Sequence, residues 1–476
     1  MSFLVYDLVL LGVFILVLGI FLYRKRKELK KDGLLLLYKT KWGVNLIHRT
    51  GEKYKRTLKF LSYVSVTLGY LLMAGMIYLV GKIVYIYVFQ GEVVRAMKIP
   101  PITPLLPYLP QVFKLNFLPP FYFTYWILII AIVAITHEFA HGIFAARNKV
   151  RIKNTGFGFF PFFLPIFLAA FVELNEKKMG KKKIFDQLAI LSAGTFANIV
   201  TAILFGIVMV IFFSLAFAPS GVVFDTYSYT SIGISSIIAV NNITINNASF
   251  QNVLNSMNST GLNEIETNSG NYLASKSFIE PQNSTAGNLV FYYDAPAIRA
   301  NLESTILKIN GKRVTSVNGL AKEIYKYSPG TKITLTVIGT DNAPYDKDIV
   351  LEQNPQNESL PFLGIGFYPI KNQGALTQMY SNLFSLNRNH IYYASIIGDA
   401  GIFIYQFLWW LVIICISVAL INMLPMGIFD GGRFFYLTVL AITKKEEVAK
   451  KAFKFATYFF LFVLFVVMLF WFIYTR

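Results

Sequence analysis

A single cysteine, Cys415, excludes a disulfide within the chain, and its place inside an apolar run makes it a packing residue. Charge is also scarce. Only 14% of residues are Asp, Glu, Lys or Arg, against 55% hydrophobic, and the mean hydropathy is +0.53. A soluble globular chain of 476 residues is not this apolar. Acid is scarcer than base, 25 residues against 44, which leaves a net charge of +19. That excess would suit a nucleic-acid partner if it formed one patch. It does not: the basic clusters at 23–33, 51–59, 147–154, 176–183 and 443–454 each flank an apolar run. The positive-inside rule accounts for them as cytoplasmic loops, and nucleic acid is excluded as a partner.

What remains is a polytopic α-helical membrane protein. Apolar runs predict six spans, at about 3–22, 60–90, 121–146, 186–217, 393–424 and 455–474. The first is not a signal peptide, because its positive flank is on the wrong side and no small-residue cleavage site follows. Prolines at 100–120 forbid a continuous helix and predict an external loop. The segment 154–176 is apolar but broken by Gly156, Gly158, Pro161 and Pro165, and both flanks are basic. An extended re-entrant segment fits, provided protein shields its backbone. "SAGTFAN" (192–198) supplies small residues for close helix packing.

Residues 218–385 differ in kind: they are polar, rich in Asn, Ser and Thr, and alternate as strands do. Sequons at Asn242, Asn247, Asn258, Asn283 and Asn357 agree with an extracytoplasmic domain. The expected division is 1–120 (two spans and the Pro-rich loop), 121–217 (two spans with the broken segment between them), 218–290 and 291–385 (two polar modules), 386–432 (the span that ends in "NMLPMGIFDGG"), and 433–476 (basic loop and last span).

Two of only four histidines stand in "THEFAHG" (136–142), at the end of an apolar run. On a helix His137 and His141 share one face and reach one Zn²⁺, while Glu138 is offset to meet a metal-activated water. Zinc would polarise a scissile carbonyl and acidify water, and the glutamate would move its proton. Incidental polar residues do not explain ionisable groups inside an apolar helix. A third ligand is still needed. The extension with Gly at 144 and His at 147 is excluded, because the chain has Phe144 and Arg147. Glu173 is one candidate. Asp430 in "NMLPMGIFDGG" (422–432) is the better one, with Gly431 and Gly432 freeing the backbone to turn; a turn or cap role for Asp430 stays open.

HEFAH in one membrane helix, with Asn422, Pro425, Asp430 and Gly431 at the spacing N-x-x-P-x-x-x-x-D-G in a later one, resembles the site-2 proteases, which are intramembrane zinc metalloproteases. "GTFAN" is similar to that family's G-P-x-x-N motif, with Thr195 in place of proline and Asn198 retained. The resemblance implies a three-helix catalytic core (121–146, 186–217, 393–430) and a re-entrant β-segment at 155–173. It implies His137, His141 and Asp430 as zinc ligands and Glu138 as general base. Asn422 and Pro425 would break the fifth span near the metal and help hold the substrate backbone as an extended strand, and Asn198 would support substrate or oxyanion contacts. The other spans would be peripheral. Residues 294–340 resemble a PDZ domain, and 236–257 repeat the start of that pattern without a clear closing strand.

The expected activity is zinc-dependent hydrolysis of single-span membrane proteins in the bilayer, after a first external cut, with the active site toward the cytoplasm of a cell membrane. A non-catalytic scaffold displaying PDZ-like domains, or a zinc-dependent transporter, are the competing classes. The scaffold would need no Glu138, and the transporter would need further ionisable residues along its spans.

Overall fold

In lipid an apolar segment must satisfy its own backbone groups, so long apolar runs become helices. The computed structural model describes residues 3–32, 35–101, 103–115, 118–159, 168–282, 287–339, 343–368 and 385–475. Among them, six helices are long and apolar enough to cross a bilayer: α1 (Phe3–Lys25), α3 (Lys55–Phe89), α4 (Phe123–Arg147), α5 (Ile184–Ala216), α6 (Asp399–Asn422) and α8 (Glu446–Thr475). A shorter helix, α2 (Val44–Lys53), precedes α3, and another, α7 (Asp430–Thr443), follows α6. The sequence reading placed six spans near these positions but did not foresee α7. The chain divides into two compact units, 1–212 with 403–476, and 213–402.

In the first unit, one buried cluster joins Ala140 and Phe144 of α4, Ala189 and Ala193 of α5, Ala419 of α6 and Phe434 of α7. Leu58, Val66 and Met73 of α3 belong to the same cluster. Polar contacts tighten it. Ser65 and Ser192 hydroxyls lie 2.7 Å apart, and Arg147 Nη1 donates to Ser62 Oγ at 3.1 Å. The second N-terminal span is therefore part of the helical core, against the expectation that it would be peripheral.

The re-entrant segment is an antiparallel pair, β3 (Ile152–Phe159) and β4 (Leu168–Leu174). Pro161 and Pro165 lie outside the described residues. The sheet is larger than expected. Strands β1 (Leu29–Asp32) and β2 (Leu35–Thr40), read as a basic loop, add to it in the order β1-β2-β3-β4. Gly156 is required there: a Cβ would lie 2.1 Å from the Tyr38 carbonyl oxygen. Glu173 ties the sheet together, accepting from Lys39 Nζ at 2.7 Å and Asn154 Nδ2 at 2.9 Å.

The second unit carries an internal repeat. Strands 237–240 and 243–244, helix 250–255 and strands 263–267 and 270–274 recur as strands 305–309 and 312–313, helix 317–324 and strands 332–338 and 344–350. The details recur too. Val240 pairs with Ile243 and Ile309 with Lys312, across loops Asn241-Asn242 and Asn310-Gly311 whose φ angles are all positive. Two-residue hairpin loops demand that conformation, which Asn and Gly tolerate. Ser249 and Ser316 each cap their helix by accepting from the N–H three residues on. The closing strands that the sequence hid in the first copy are 263–267 and 270–274, whose polar residues mask the alternation. The division at 290/291 also shifts: strand 217–223 pairs with 305–309 of the second repeat and with 391–395. The Asn283 sequon lies outside the described residues; the other four sequon asparagines are exposed.

One carboxylate inside α1 went unnoticed in the sequence. Asp7 is 2% exposed and sits at the start of α4. Its Oδ2 accepts from Phe123 N–H (2.7 Å) and Tyr108 hydroxyl (2.6 Å), and its Oδ1 accepts from Thr124 N–H (2.9 Å) and hydroxyl (2.5 Å). Tyr122, the residue before α4, offers no side-chain cap of its own. Asp7 thus caps α4 from another helix, where negative charge is favoured. Asp7→Ala leaves first-turn N–H groups of α4 unpaired and should cost about 2 kcal/mol. Asp7→Asn keeps an acceptor and should lose less. Thermal unfolding midpoints of the detergent-solubilised variants check the ranking.

Candidate metal centre and active site

His137 and His141 lie one turn apart on α4, and both are buried. Asp430, the first residue of α7, meets them from the far end of the sequence. The three donor atoms form a nearly equilateral triangle. His141 Nε2 is 3.1 Å from His137 Nε2 and 3.2 Å from Asp430 Oδ2, and His137 Nε2 is 3.3 Å from the same oxygen. A tetrahedral zinc with bonds of about 2.0–2.1 Å separates its ligand atoms by about 3.3 Å. The triangle matches one face of that tetrahedron, and the three residues could hold a metal ion.

The partners of the two rings support the same fit. His141 Nδ1 lies 2.7 Å from the carbonyl oxygen of Ile190, which accepts the Nδ1 proton and leaves Nε2 free as a ligand. His137 Nδ1 lies 3.0 Å from the amide nitrogen of Asn198, while Asn198 Oδ1 is buried without a partner. A cation on His137 Nε2 moves the ring proton to Nδ1. Half a turn of the Asn198 amide then gives that proton its acceptor. Asn198, expected to support substrate contacts, is wholly buried against His137 and lines neither cavity beside the site.

Two glycine-dependent close approaches build the triangle. A Cβ on Gly194 of α5 would lie 2.4 Å from His141 Nε2 and 2.6 Å from His137 Nε2. The small-residue patch therefore leaves room for both imidazoles, beyond packing helix on helix. At Asp430, α6 stops at Asn422 because Pro425 has no N–H for the Ile421 carbonyl. Residues 423–429 fold back, and α7 starts afresh. Gly431 and Gly432 were expected to make that turn. They are instead helical, and each admits a backbone carbonyl: a Cβ would lie 2.5 Å from the Met423 oxygen and 2.1 Å from the Met426 oxygen. The turn is made by 423–429.

Glu138 faces a different direction from the ligands. Its Oε2 accepts from Val172 N–H on the outer edge of β4 at 3.0 Å. It stands between two cavities. One, about 760 Å³, is polar and bordered by His141, Asp430, Glu176, Lys177 and Arg433. The other, about 330 Å³, is bordered by His137, Asp430 and Asn422 with Val133, Ile414 and Phe429. Asn422 borders this second cavity, and Pro425 is buried in the break that ends α6.

Glu173, the alternative third ligand, is committed to Lys39 and Asn154. His48 lies on α2 and His390 pairs with Asp225 at 3.1 Å in the other unit. Ile190, Val172 and Gly194 act through the backbone, so their side chains carry no sign of it; only the glycine in a small-residue patch was readable. Gly194→Ala should lower zinc retention roughly 5- to 150-fold, because overpacking by one methyl costs roughly 1–3 kcal/mol. Gly206→Ala on the same helix, where a Cβ meets nothing within 4 Å, should leave it unchanged. Zinc content of the purified variants checks both.

The chain matches the model of peptidase family M50 over residues 125–467, more than two thirds of its length. That stretch takes in α4, the sheet edge at β4, α5, the break at 423–429 and the start of α7. The geometry and the match agree: the chain belongs to peptidase family M50, the site-2 protease family, and is a membrane metallopeptidase.

Proposed function

We propose that the protein is an intramembrane zinc endopeptidase that cuts single-span membrane proteins within or near their spans. The observation that carries this reading is the ligand triangle of His137, His141 and Asp430 beside Glu138, set between a polar and a largely apolar cavity. Zinc held by the three residues would polarise the scissile carbonyl and acidify a water. Glu138 takes a proton from the attacking water onto its carboxylate and delivers it to the leaving nitrogen. His141, oriented by the Ile190 carbonyl, and His137, oriented by Asn198, would present their Nε2 atoms as ligands. The polar cavity admits water, and the apolar one takes substrate side chains beside Asn422.

A spanning helix hides its peptide bonds, so the substrate must unwind locally. The outer edge of β4 offers it a strand to pair with. In the free protein Val172 N–H is taken by Glu138. An incoming substrate carbonyl would accept that N–H and release Glu138 for proton transfer. The metal end of α4 lies near the basic residues that mark the cytoplasmic face, and 218–385 would lie outside. The two repeats there are read as PDZ-like modules that admit substrates trimmed by an earlier external cut. A non-catalytic scaffold would need neither Glu138 nor a complete ligand triangle.

In proteoliposomes with a single-span substrate, Glu138→Gln should keep its zinc and lose about 10²–10⁴-fold in rate. Asp430→Asn should instead lose zinc. Equal cleavage by wild type and Glu138→Gln would end the protease reading. The filter has its own test. Val223 N–H bonds the His390 carbonyl at 2.8 Å, so 224–389 can be replaced by an Asn-Gly hairpin loop. The shortened enzyme should cut intact and pre-trimmed substrates alike, whereas the full chain should favour trimmed ones. An unchanged preference would remove the filter.

A further inference from the structure

The reverse face of α4 borders a groove that the reaction does not use. Ile135, Phe139 and Ile143 point into it, opposite His137 and Glu138, and Leu61 of α3 and Val200 of α5 complete its walls. Its volume is about 490 Å³. The two wall threonines, Thr136 and Thr201, turn their hydroxyls back onto the Ile132 and Ala197 carbonyls of their own helices, so the walls stay apolar. From Ile143 to Ile135 the groove runs about 12 Å along α4. One leaflet of a bilayer core is about 15 Å thick. The groove is thus slightly shorter than one leaflet, a depth that an acyl chain spans.

Thr50, Tyr54 and Thr57, at the junction of α2 and α3, also border the groove. Lys53 Nζ lies 5.2 Å from the centre of the Tyr54 ring, which puts a cation at the rim. Arg49, Lys55, Arg56 and Lys59 follow within the same stretch, exposed to solvent, against one acid, Glu52. Among the described residues none of these five cations is paired with a carboxylate, whereas Lys25, Lys39 and Lys450 are. Clustered bases at the end of a spanning helix attract anionic lipid, at about 1 kcal/mol for each Lys or Arg.

We propose that this groove binds one anionic membrane lipid, its chain lying against the back of α4 and its phosphate drawn to Lys53 and the basic residues that flank it in sequence. The lipid would fill the wall between the helix that carries His137 and Glu138 and the helix that carries Gly194. Nothing in this assignment depends on the protein being a protease.

The test uses the full chain in vesicles of phosphatidylcholine alone, or of an equimolar mixture with phosphatidylglycerol. Native mass spectrometry after gentle extraction counts retained lipid. Wild type should keep one phosphatidylglycerol per chain and discriminate against phosphatidylcholine. Reversing Lys53, Lys55 and Arg56 to Glu should weaken retention on the order of a hundredfold. Val200→Trp, which fills the groove from an exposed wall position, should abolish retention with zinc content unchanged. Added glycerol 3-phosphate should not displace the lipid; displacement would reassign the rim as a phosphate site and overturn the proposal. So would equal retention of the two lipids by wild type, or retention unaltered by Val200→Trp.

Discussion

Two imidazoles and a carboxylate in mutual contact, inside a bundle of apolar helices, are the constraint on which the rest of this architecture turns. Three polar side chains packed this closely are unfavourable in an apolar setting unless each is fixed by a partner or joined through a cation. The fold meets that demand from several directions. Ile190 and Asn198 of α5 engage the outer ring nitrogens. Gly194 of the same helix withdraws so that the rings fit. The break after Asn422 brings Asp430 in at the start of a new helix, and the two glycines beside it let backbone lie on backbone. α5 is therefore part of the centre although it contributes no ligand. The same economy appears at β4, whose edge supplies an N–H to Glu138.

Much of this could be read in advance where side chains carry the chemistry. His137, Glu138 and His141 stand out because ionisable groups are rare in apolar runs, and Asp430 because of its spacing from Asn422 and Pro425. The helices were legible by length and hydropathy. What stayed hidden works through the backbone or through distant pairing. The β1-β2 hairpin reads as a charged loop, since its strands matter only beside β3, more than a hundred residues on. The start of α7 reads as the tail of α6, because both are apolar. The closing strands of the first repeat are obscured because polar Asn263 and Thr267 take inward positions on either side of Ile265. Asp7 was legible in principle, as an acid in an apolar run, but its partner lies in another helix.

The architecture also explains why the extra N-terminal elements are not ornaments. α1 touches the first unit through specific ends: Asp7 on the start of α4, and the hairpin that follows α1 on β3. Between them its apolar surface is largely open to lipid. α1 holds the start of α4 through Asp7 and through Phe3 on Tyr122 and Phe14 on Phe123, and it reaches the sheet beside Glu138 through Phe21 on Tyr38 and the hairpin that follows. α3 does the opposite, burying residues throughout the cluster that surrounds the centre.

His137 and Asp430 are 293 positions apart. A ribosome therefore completes both imidazoles, the sheet and the whole of 213–402 before the carboxylate exists. Throughout that interval the growing chain lacks one corner of its metal triangle. Any part-made or truncated product shares that defect, because among the described residues no other one joins His137 and His141 in such a group. Order of synthesis and order of assembly therefore coincide: the group of His137, His141 and Asp430 is complete only once the chain has been made through the first residue of α7.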